Sequence, residues 1–467
     1  MSAQSDPVEW SGRKVVVLGL GDTGLSMARW LARNRAQVRV ADTRAEPPRA
    51  ADLARELPRV PLATGVFDTD TFRDIDCVAI SPGIDRREGP VADAAKRGLP
   101  LLGDVELFAQ ALPRSKARNA GVLAVTGSNG KSTVTAMAGA ICRAAGRNTS
   151  VAGNIGVPVL DALAAAENAP VAPEIFVIEL SSFQLESTDS LAADAATMLN
   201  LTEDHLDRYK GMNDYAAAKS RVFAGSGIQV LNRDDRWSMN MARAGRTIYT
   251  FGLGSPRAES EWGIADEPAG PALAHGPRRL MSVAELAVTG LHNASNALAA
   301  LALTHAIGVP DVASADALRR FEGLPHRAQR VAELEGVVYY NDSKGTNVGA
   351  TVAALAGIGR PVVLIAGGEG KGQDFTPLAP VIAKHARAVV LIGRDAGRIE
   401  RALKATKIPL ERAGDMTQAV TTAQRAARRG DAVLLSPACA SFDMFRDYRH
   451  RGEAFIAAVE VLRRGKN

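Results

Sequence analysis

The chain alternates short unbroken apolar runs with amphipathic stretches. KVVVLG at 14–19 is the kind of run expected of a strand covered on both faces, and a glycine turn, GLGDTG, follows it directly. The next stretch places Leu25, Ala28, Leu31 and Ala32 on one helical face. VRVAD then reads as a second strand, and CVAISPG as a buried strand closed by a Pro-Gly turn. The pattern fades in the polar segment PRSKARNA at 113–120.

A second unit opens with the strand GVLAVTG, the turn SNGKST and an alanine-rich helix to about Ala145. IFVIELSS is a further strand, and ATMLNLTEDHLDRY carries a shorter apolar run into a polar loop. Residues 252–280, rich in Gly, Pro and Ala, read as a surface excursion, after which NALAALALTHAIG closes the unit as a helix. Beyond GLPHR at 323–327, the runs VVYYNDS, PVVLIAGG, AVVLIG and AVLLSP alternate with helical patterns. Strands alternating with helices throughout predict an α/β fold of three domains, each with a parallel or mainly parallel sheet, over residues 1–115, 116–323 and 324–467.

Composition narrows the class. At 46% hydrophobic and 23% charged, the 467-residue chain is of ordinary globular type. A net charge of +5 without a basic block argues against a nucleic-acid partner. Three unpaired cysteines, Cys77, Cys142 and Cys439, fit reduced thiols of a cytoplasmic protein. The opening MSAQSDPVEWSG has no apolar signal core, and no run of 18 apolar residues predicts a membrane span.

TGSNGKST (126–133) is the strongest chemical signal. Between a strand and a helix, the backbone N–H groups of Gly127, Ser128, Asn129 and Gly130 converge with a helix N-terminus where an anion sits. Lys131 supplies a point charge, and a hydroxyl at Ser132 or Thr133 reaches a magnesium ion, which marks a nucleoside triphosphate site. The spacing departs from the usual P-loop, since Val125 stands where its first glycine would be. Gly19, Gly21 and Gly24 match G-x-G-x-x-G with Asp42 downstream, which reads either as a dinucleotide site, and hence a dehydrogenase, or as a cradle for another phosphorylated ligand. Glu179 ends a strand at the ligand-binding edge and suits magnesium; the bland reading is a buried, hydrogen-bonded acid. His205 is either a metal or substrate contact or an ordinary loop histidine. Lys219, in the helical YAAAKSRVF, reads equally as a solvated surface lysine. Four of only 12 lysines, Lys131, Lys219, Lys344 and Lys371, fall in distinctive segments.

The ordered set GLGDTGLS, DTR, SPGI, TGSNGKST, GNIG, ELSSFQLE, NLTEDHLDRY, YAAAKS, LHNASNALAA, GLPHR, NDSKGTN, AGGEGKGQDF and LSPACASFDMF resembles the Mur ligase family across nearly the whole chain. The resemblance implies a Rossmann-like first domain holding a UDP-sugar rather than NAD, through Asp22, Thr23, Thr43, Arg44 and Gly83, with Asn154 and His205 on the same substrate. It implies ATP in a P-loop-type central domain, with Asn293 and Asn296 near adenine and Arg327 and Asp342 reaching over from a Rossmann-like third domain. Lys344, Thr346, Lys371, Ser436 and Phe442 would receive or surround an incoming glutamate. Lys219 would carry a carbamate made from carbon dioxide and, with Ser132, Glu179 and His205, would bind magnesium, two ions in all. Lys131, Glu179, His205 and Lys219 would form the catalytic set. The implied activity is ATP-dependent amide-bond formation through an acyl phosphate, adding D-glutamate to a UDP-N-acetylmuramoyl-L-alanine acceptor. That is a step of cytoplasmic peptidoglycan precursor synthesis, and so of cell-wall biogenesis, cell shape and division, performed by a monomer on small-molecule substrates. Glu369 in GGEGK stands where related ligases often have Asp. Sister ligases adding another amino acid and the folylpolyglutamate synthetases are the neighbouring alternatives. A non-catalytic nucleotide switch is the alternative outside enzymes.

Overall fold

The computed structural model describes residues 9–464. The first eight residues of the opening segment read for a signal core lie outside the described residues. Five strands form the first sheet: β1 (Lys14–Leu18), β2 (Gln37–Asp42), β3 (Leu62–Thr64), β4 (Cys77–Ile80) and β5 (Leu101–Leu102), in the order β3-β2-β1-β4-β5 and all parallel. Order reverses at β1, and the glycine turn leaves that strand where an open sheet binds its ligand. Gly24 is there for packing: a Cβ on it would stand 1.8 Å from the Gly19 carbonyl oxygen.

The central sheet has nine strands: β6 (Gly121–Thr126), β7 (Thr149–Gly153), β8 (Ile175–Glu179), β9 (Ala195–Met198), β10 (Ile228–Asn232), β11 (Ile248–Phe251), β12 (Glu261–Ala265), β13 (Ala272–His275) and β14 (Arg278–Ser282). Their order is β14-β13-β12-β11-β10-β9-β6-β8-β7. The third sheet, ordered β15-β16-β20-β17-β18-β19, comprises β15 (Gln329–Leu334), β16 (Val337–Asn341), β17 (Val362–Gly367), β18 (Ala386–Ile392), β19 (Leu410–Arg412) and β20 (Ala432–Leu435).

Two edges depart from the parallel expectation. β12, β13 and β14 pair antiparallel with one another, and β15 pairs antiparallel with β16. The segment expected as a surface excursion is therefore largely sheet, and it buries Trp262, Ile264, Leu273 and Met281. Its strands are four or five residues long and broken by Gly and Pro turns, so no single apolar run advertises them.

One apolar core runs through the first and central sheets together, from Trp10 to Leu231. Phe108, on the helix Asp104–Ala111, meets Phe176 of β8 edge to face at 5.3 Å. From the same helix, the Glu106 carboxylate accepts the N–H groups of Asp189 and Ser190 at 2.7 and 2.9 Å. The third sheet has separate cores on its two faces. All three cysteines are free and buried, and among the described residues no helix is long and apolar enough to cross a membrane.

Candidate active site between three lobes

The turn between β6 and the helix Lys131–Ala144 is shaped by two glycines. Gly127 (φ 147°) and Gly130 (φ 84°) adopt conformations that L side chains rarely take. A Cβ on Gly130 would also stand 2.4 Å from Asn296 Oδ1. The polar loop after β9 holds the turn in place: Asn129 N donates to Asn200 Oδ1 at 2.9 Å, and Ser128 Oγ donates to the Thr202 carbonyl at 3.0 Å. No side chain caps the helix start, which leaves a positive dipole end facing the cleft.

Lys131 Nζ folds back onto the carbonyls of Gly127 and Ser128, at 2.9 and 3.0 Å. Lys219 is not a solvated helix lysine. It is 1% exposed, donates to the same Gly127 carbonyl at 2.8 Å and lies 4.7 Å from the Tyr215 ring centroid. Burial, reinforced by the Lys131 ammonium, pushes its pKa well below that of an ordinary lysine. Burial also lowers Lys131, with Glu179 pulling the other way.

Glu179, 2% exposed at the end of β8, is held by one oxygen: Oε1 accepts from Asn154 Nδ2 at 2.8 Å. Oε2 is buried without a hydrogen-bond partner. An orphaned carboxylate oxygen beside a phosphate loop suits a magnesium ion, which prefers oxygen ligands, so the donor set fits that metal. Ser132 Oγ is engaged otherwise, accepting Arg327 Nη2 from the third lobe at 2.5 Å. His205 sits in a left-handed backbone conformation (φ 56°), with Nε2 3.6 Å from Asp204 Oδ2. Burial lowers its pKa to about 4, so the ring is neutral near pH 7. Its ring centroid lies 4.7 Å from that of Phe183.

These groups line one cavity of about 310 Å³ shared by the three lobes. Lys344, Thr346, Lys371 and Phe442 reach it from the third lobe, and Pro82 from the first. Burial, then the nearby Arg327 and Lys131, lower Lys344 to about 8, and its Nζ lies 3.9 Å from the Tyr448 ring centroid. Ser436 is absent from the wall. It is fully buried behind Asp342, to which its hydroxyl donates at 2.7 Å. Burial raises Asp342 to about 6. A second cleft of about 280 Å³ adjoins the first and gathers Thr133, Asn293, Asn296, Arg327 and Asp342.

In the first lobe, Asp22 and Thr23 follow β1, Thr43 and Arg44 follow β2, and Gly83 follows β4, all at the carboxyl edge of the sheet. Asp42 is not available to a ribose. Arg44 grips both its oxygens, at 2.8 and 2.6 Å, and Leu20 N donates to it at 2.6 Å. Those contacts, the Arg44 bond foremost, lower its pKa to about 2. A separate cavity of about 660 Å³ opens beside Lys14 and Gln37 at the opposite edge of this sheet, away from the lysines and Glu179.

Several residues here received no role from the sequence, although Asn347 and Arg208 lie inside NDSKGTN and NLTEDHLDRY. Asn347 donates to Asn129 Oδ1 at 3.1 Å and to Asp204 Oδ2 at 3.3 Å, tying the third lobe to the phosphate loop. Arg208 binds the carbonyls of Pro82 and Ile84 and the Glu186 carboxylate, latching the first lobe to the second. Arg451, fully buried, donates to the carbonyls of Ser343, Cys439 and Ala440 and joins the two loops that carry Lys344 and Ser441. Ser441 and Tyr448 line the main cavity beside the expected groups. Asp204 and Ser441 lie inside NLTEDHLDRY and LSPACASFDMF, next to His205 and Phe442, and that placement was their sequence signal.

Three α/β lobes closing on a phosphate loop, with paired lysines and a metal-seeking carboxylate between them, define a nucleotide-dependent ligase class. Family models agree: residues 13–103 match the Mur ligase MurD-like N-terminal domain, 125–304 the Mur ligase middle domain, and 326–439 the Mur ligase glutamate ligase domain. The chain belongs to the Mur ligase family. Similar relatives include the UDP-N-acetylmuramoylalanine--D-glutamate ligases of Methylobacillus flagellatus, 54% identical over 97% of this chain and 98% of that protein, and of Thiobacillus denitrificans, 54% identical over 98% of each. Among solved structures, UDP-N-acetylmuramate-alanine ligase MurC from Thermotoga maritima shares the fold at 19% identity and a TM-score of 0.61, covering 96% of this chain and 99% of that one.

Proposed function

We propose that this chain is an ATP-dependent ligase joining D-glutamate to UDP-N-acetylmuramoyl-L-alanine in peptidoglycan precursor synthesis, releasing ADP and phosphate. The observation that carries the reading is the convergence of Lys131, Lys219 and the unpaired Glu179 oxygen on one cavity that Lys344 and Lys371 complete from the third lobe. The substrate carboxylate is phosphorylated by ATP, and the amine of glutamate displaces phosphate from the acyl phosphate.

Gly127 to Thr133 cradle the triphosphate, and Lys131 turns from the loop carbonyls to the phosphoryl oxygens as charge develops there. Asn293 and Asn296 flank the adenine, with Arg327 and Asp342 on the nucleotide from the third lobe. Bound magnesium would neutralise phosphate charge. Glu179 Oε2 would hold it, with Ser132 Oγ once Arg327 moves to the nucleotide, and with His205; the full set is two ions. The low pKa of Lys219 supplies a free amine able to add carbon dioxide, and the resulting carbamate offers an oxygen ligand in place of a buried cation. Asp22, Thr23, Thr43, Arg44 and Gly83 hold the uridine diphosphate, and Asn154 and His205 face the sugar-peptide. Lys344, Lys371, Thr346 and Phe442 receive glutamate. Ser436 acts from behind, by holding Asp342. The chain divides near residues 115 and 323 and works as a monomer in the cytoplasm.

The direct test is phosphate release from ATP with UDP-N-acetylmuramoyl-L-alanine, adding D-glutamate, L-glutamate, L-lysine or glycine in turn. Release stimulated by D-glutamate alone is expected; release indifferent to the amino acid overturns the reading.

A further inference from the structure

The outer edge of the central sheet carries a cluster that the ligase reading does not use. His275 closes β13 and is 1% exposed. His305 ends the helix Leu291–His305, and Asp311 opens the helix Asp311–Arg319. His275 Nδ1 stands 3.1 Å from Asp311 Oδ2, and His305 Nδ1 stands 3.4 Å from Asp311 Oδ1. One ligand atom from each of the three residues lies within 4.8 Å of the others, the one such group among the described residues.

The orientation of His275 is fixed from two sides. Its ring stacks on Trp262, its register partner on β12, with centroids 4.0 Å apart and planes 9° from parallel. Its Nε2 lies 2.7 Å from the Glu259 carbonyl oxygen. A carbonyl can only accept, so Nε2 carries a hydrogen; a guanidinium can only donate, so the Nδ1 beside Arg278 Nη2 keeps its lone pair, on the side that faces Asp311. A lone pair and a carboxylate oxygen facing each other at 3.1 Å call for a cation between them. Arg278 provides one, with Nη2 2.8 Å from His275 Nδ1 and 3.3 Å from Asp311 Oδ2. Its side chain is 56% exposed and free to swing outward.

We propose that His275 Nδ1, His305 Nδ1 and an Asp311 carboxylate oxygen form a binding site for a divalent transition metal of the zinc class, which takes the place of the Arg278 guanidinium. Two imidazole nitrogens and one carboxylate select a borderline ion over magnesium or calcium. A carbonyl on the non-ligating nitrogen is the outer-sphere arrangement that fixes a ligand histidine's tautomer. The His305 ring stands edge-on to that of His275, with centroids 4.6 Å apart. Three protein ligands leave the fourth position to water. The ion would fasten the β12–β14 hairpin to the far end of the helix that presents Asn293 and Asn296 to the nucleotide cleft.

The experiment is equilibrium dialysis of the full-length chain against Zn2+ with excess Mg2+ present, beside a Co2+ titration read by visible absorbance and by quenching of Trp262 fluorescence. One tightly held Zn2+ per chain is expected. His305→Ala and Asp311→Asn should each weaken it by about tenfold or more and abolish the Trp262 quench, while Arg278→Ala, at an exposed position, should bind more tightly. Equal Zn2+ uptake by wild type and both ligand variants would place the ion in the catalytic cavity and overturn the site. Absence of uptake by both wild type and Arg278→Ala would overturn it as well, leaving a histidine–aspartate–arginine ion cluster only.

Discussion

Lys131 and Lys219 donate to one acceptor, the carbonyl of Gly127, at 2.9 and 2.8 Å. Two ammonium groups on a single neutral oxygen, one of them fully buried, repel each other. That repulsion is relieved if the first turns to an anionic phosphate and the second loses its charge.

Removal of the first charge therefore strikes the reaction rather than the fold. Lys131→Ala should lower kcat for phosphate release by about 3 to 4 kcal/mol of transition-state stabilisation, with Tm close to that of wild type. Retained turnover would refute the assignment.

Removal of the second should uncouple stability from activity. The folded pKa of Lys219 lies below its unfolded value, so the unfolded chain binds more protons between the two, and stability rises with pH across that window. In buffer free of carbon dioxide, Lys219→Met should raise Tm at neutral pH and flatten that rise, at about 1.4 kcal/mol per unit of pKa difference removed. Turnover should be lost, and in Lys219→Ala it should return in part with added short carboxylates. Full activity without rescue would mark the lysine as ordinary.

The first lobe should show its carboxylate in acid. Arg44 holds the Asp42 carboxyl at a pKa of about 2 in the folded chain, below the ordinary 3.8 of an aspartate. Its contribution is present above the unfolded value and disappears as pH falls toward 2, where the folded group is protonated as well. Denaturant titrations of wild type and Asp42→Asn should differ by about 1 to 2 kcal/mol at pH 6 and converge at the acid end. Calorimetry should also find uridine diphosphate bound and NAD not bound. The reverse would restore the dinucleotide reading.

The link from Arg327 to Ser132 holds the third lobe over the phosphate loop. Arg327→Ala should raise KM for ATP by about tenfold, the value of one charge-assisted hydrogen bond, and increase the radius of gyration in solution scattering. Unchanged KM and radius would mean that the contact does not hold the lobe closed.

Where apolar runs are long and flanked by glycine, the fold was readable in advance. β1, β6, β8 and β17 stand where KVVVLG, GVLAVTG, IFVIELSS and PVVLIAGG predict them. Lys131 and Glu179 were legible because strand ends and glycine turns fix where backbone and side chain point. Burial of Lys219 was not legible: MNDYAAAKS carries no amphipathic stripe, and its lysine is enclosed by Tyr215 and a loop distant in sequence. Ser436 stands behind the cavity for a related reason, since strand register places it but only the third lobe's packing decides what covers it. The β12–β14 hairpin escaped notice because each strand is short and its partner, not its own pattern, completes the buried face.

The continuous core from Trp10 to Leu231 bears on how such a catalyst is assembled and worked. The glycine turn after β1 and the turn after β6 stand on one packed body, so the spacing between them is set at folding. The remaining lobe has cores of its own and meets that body through polar links such as Arg327 and Asn347, so its hold on the cleft is the one that single polar substitutions can loosen.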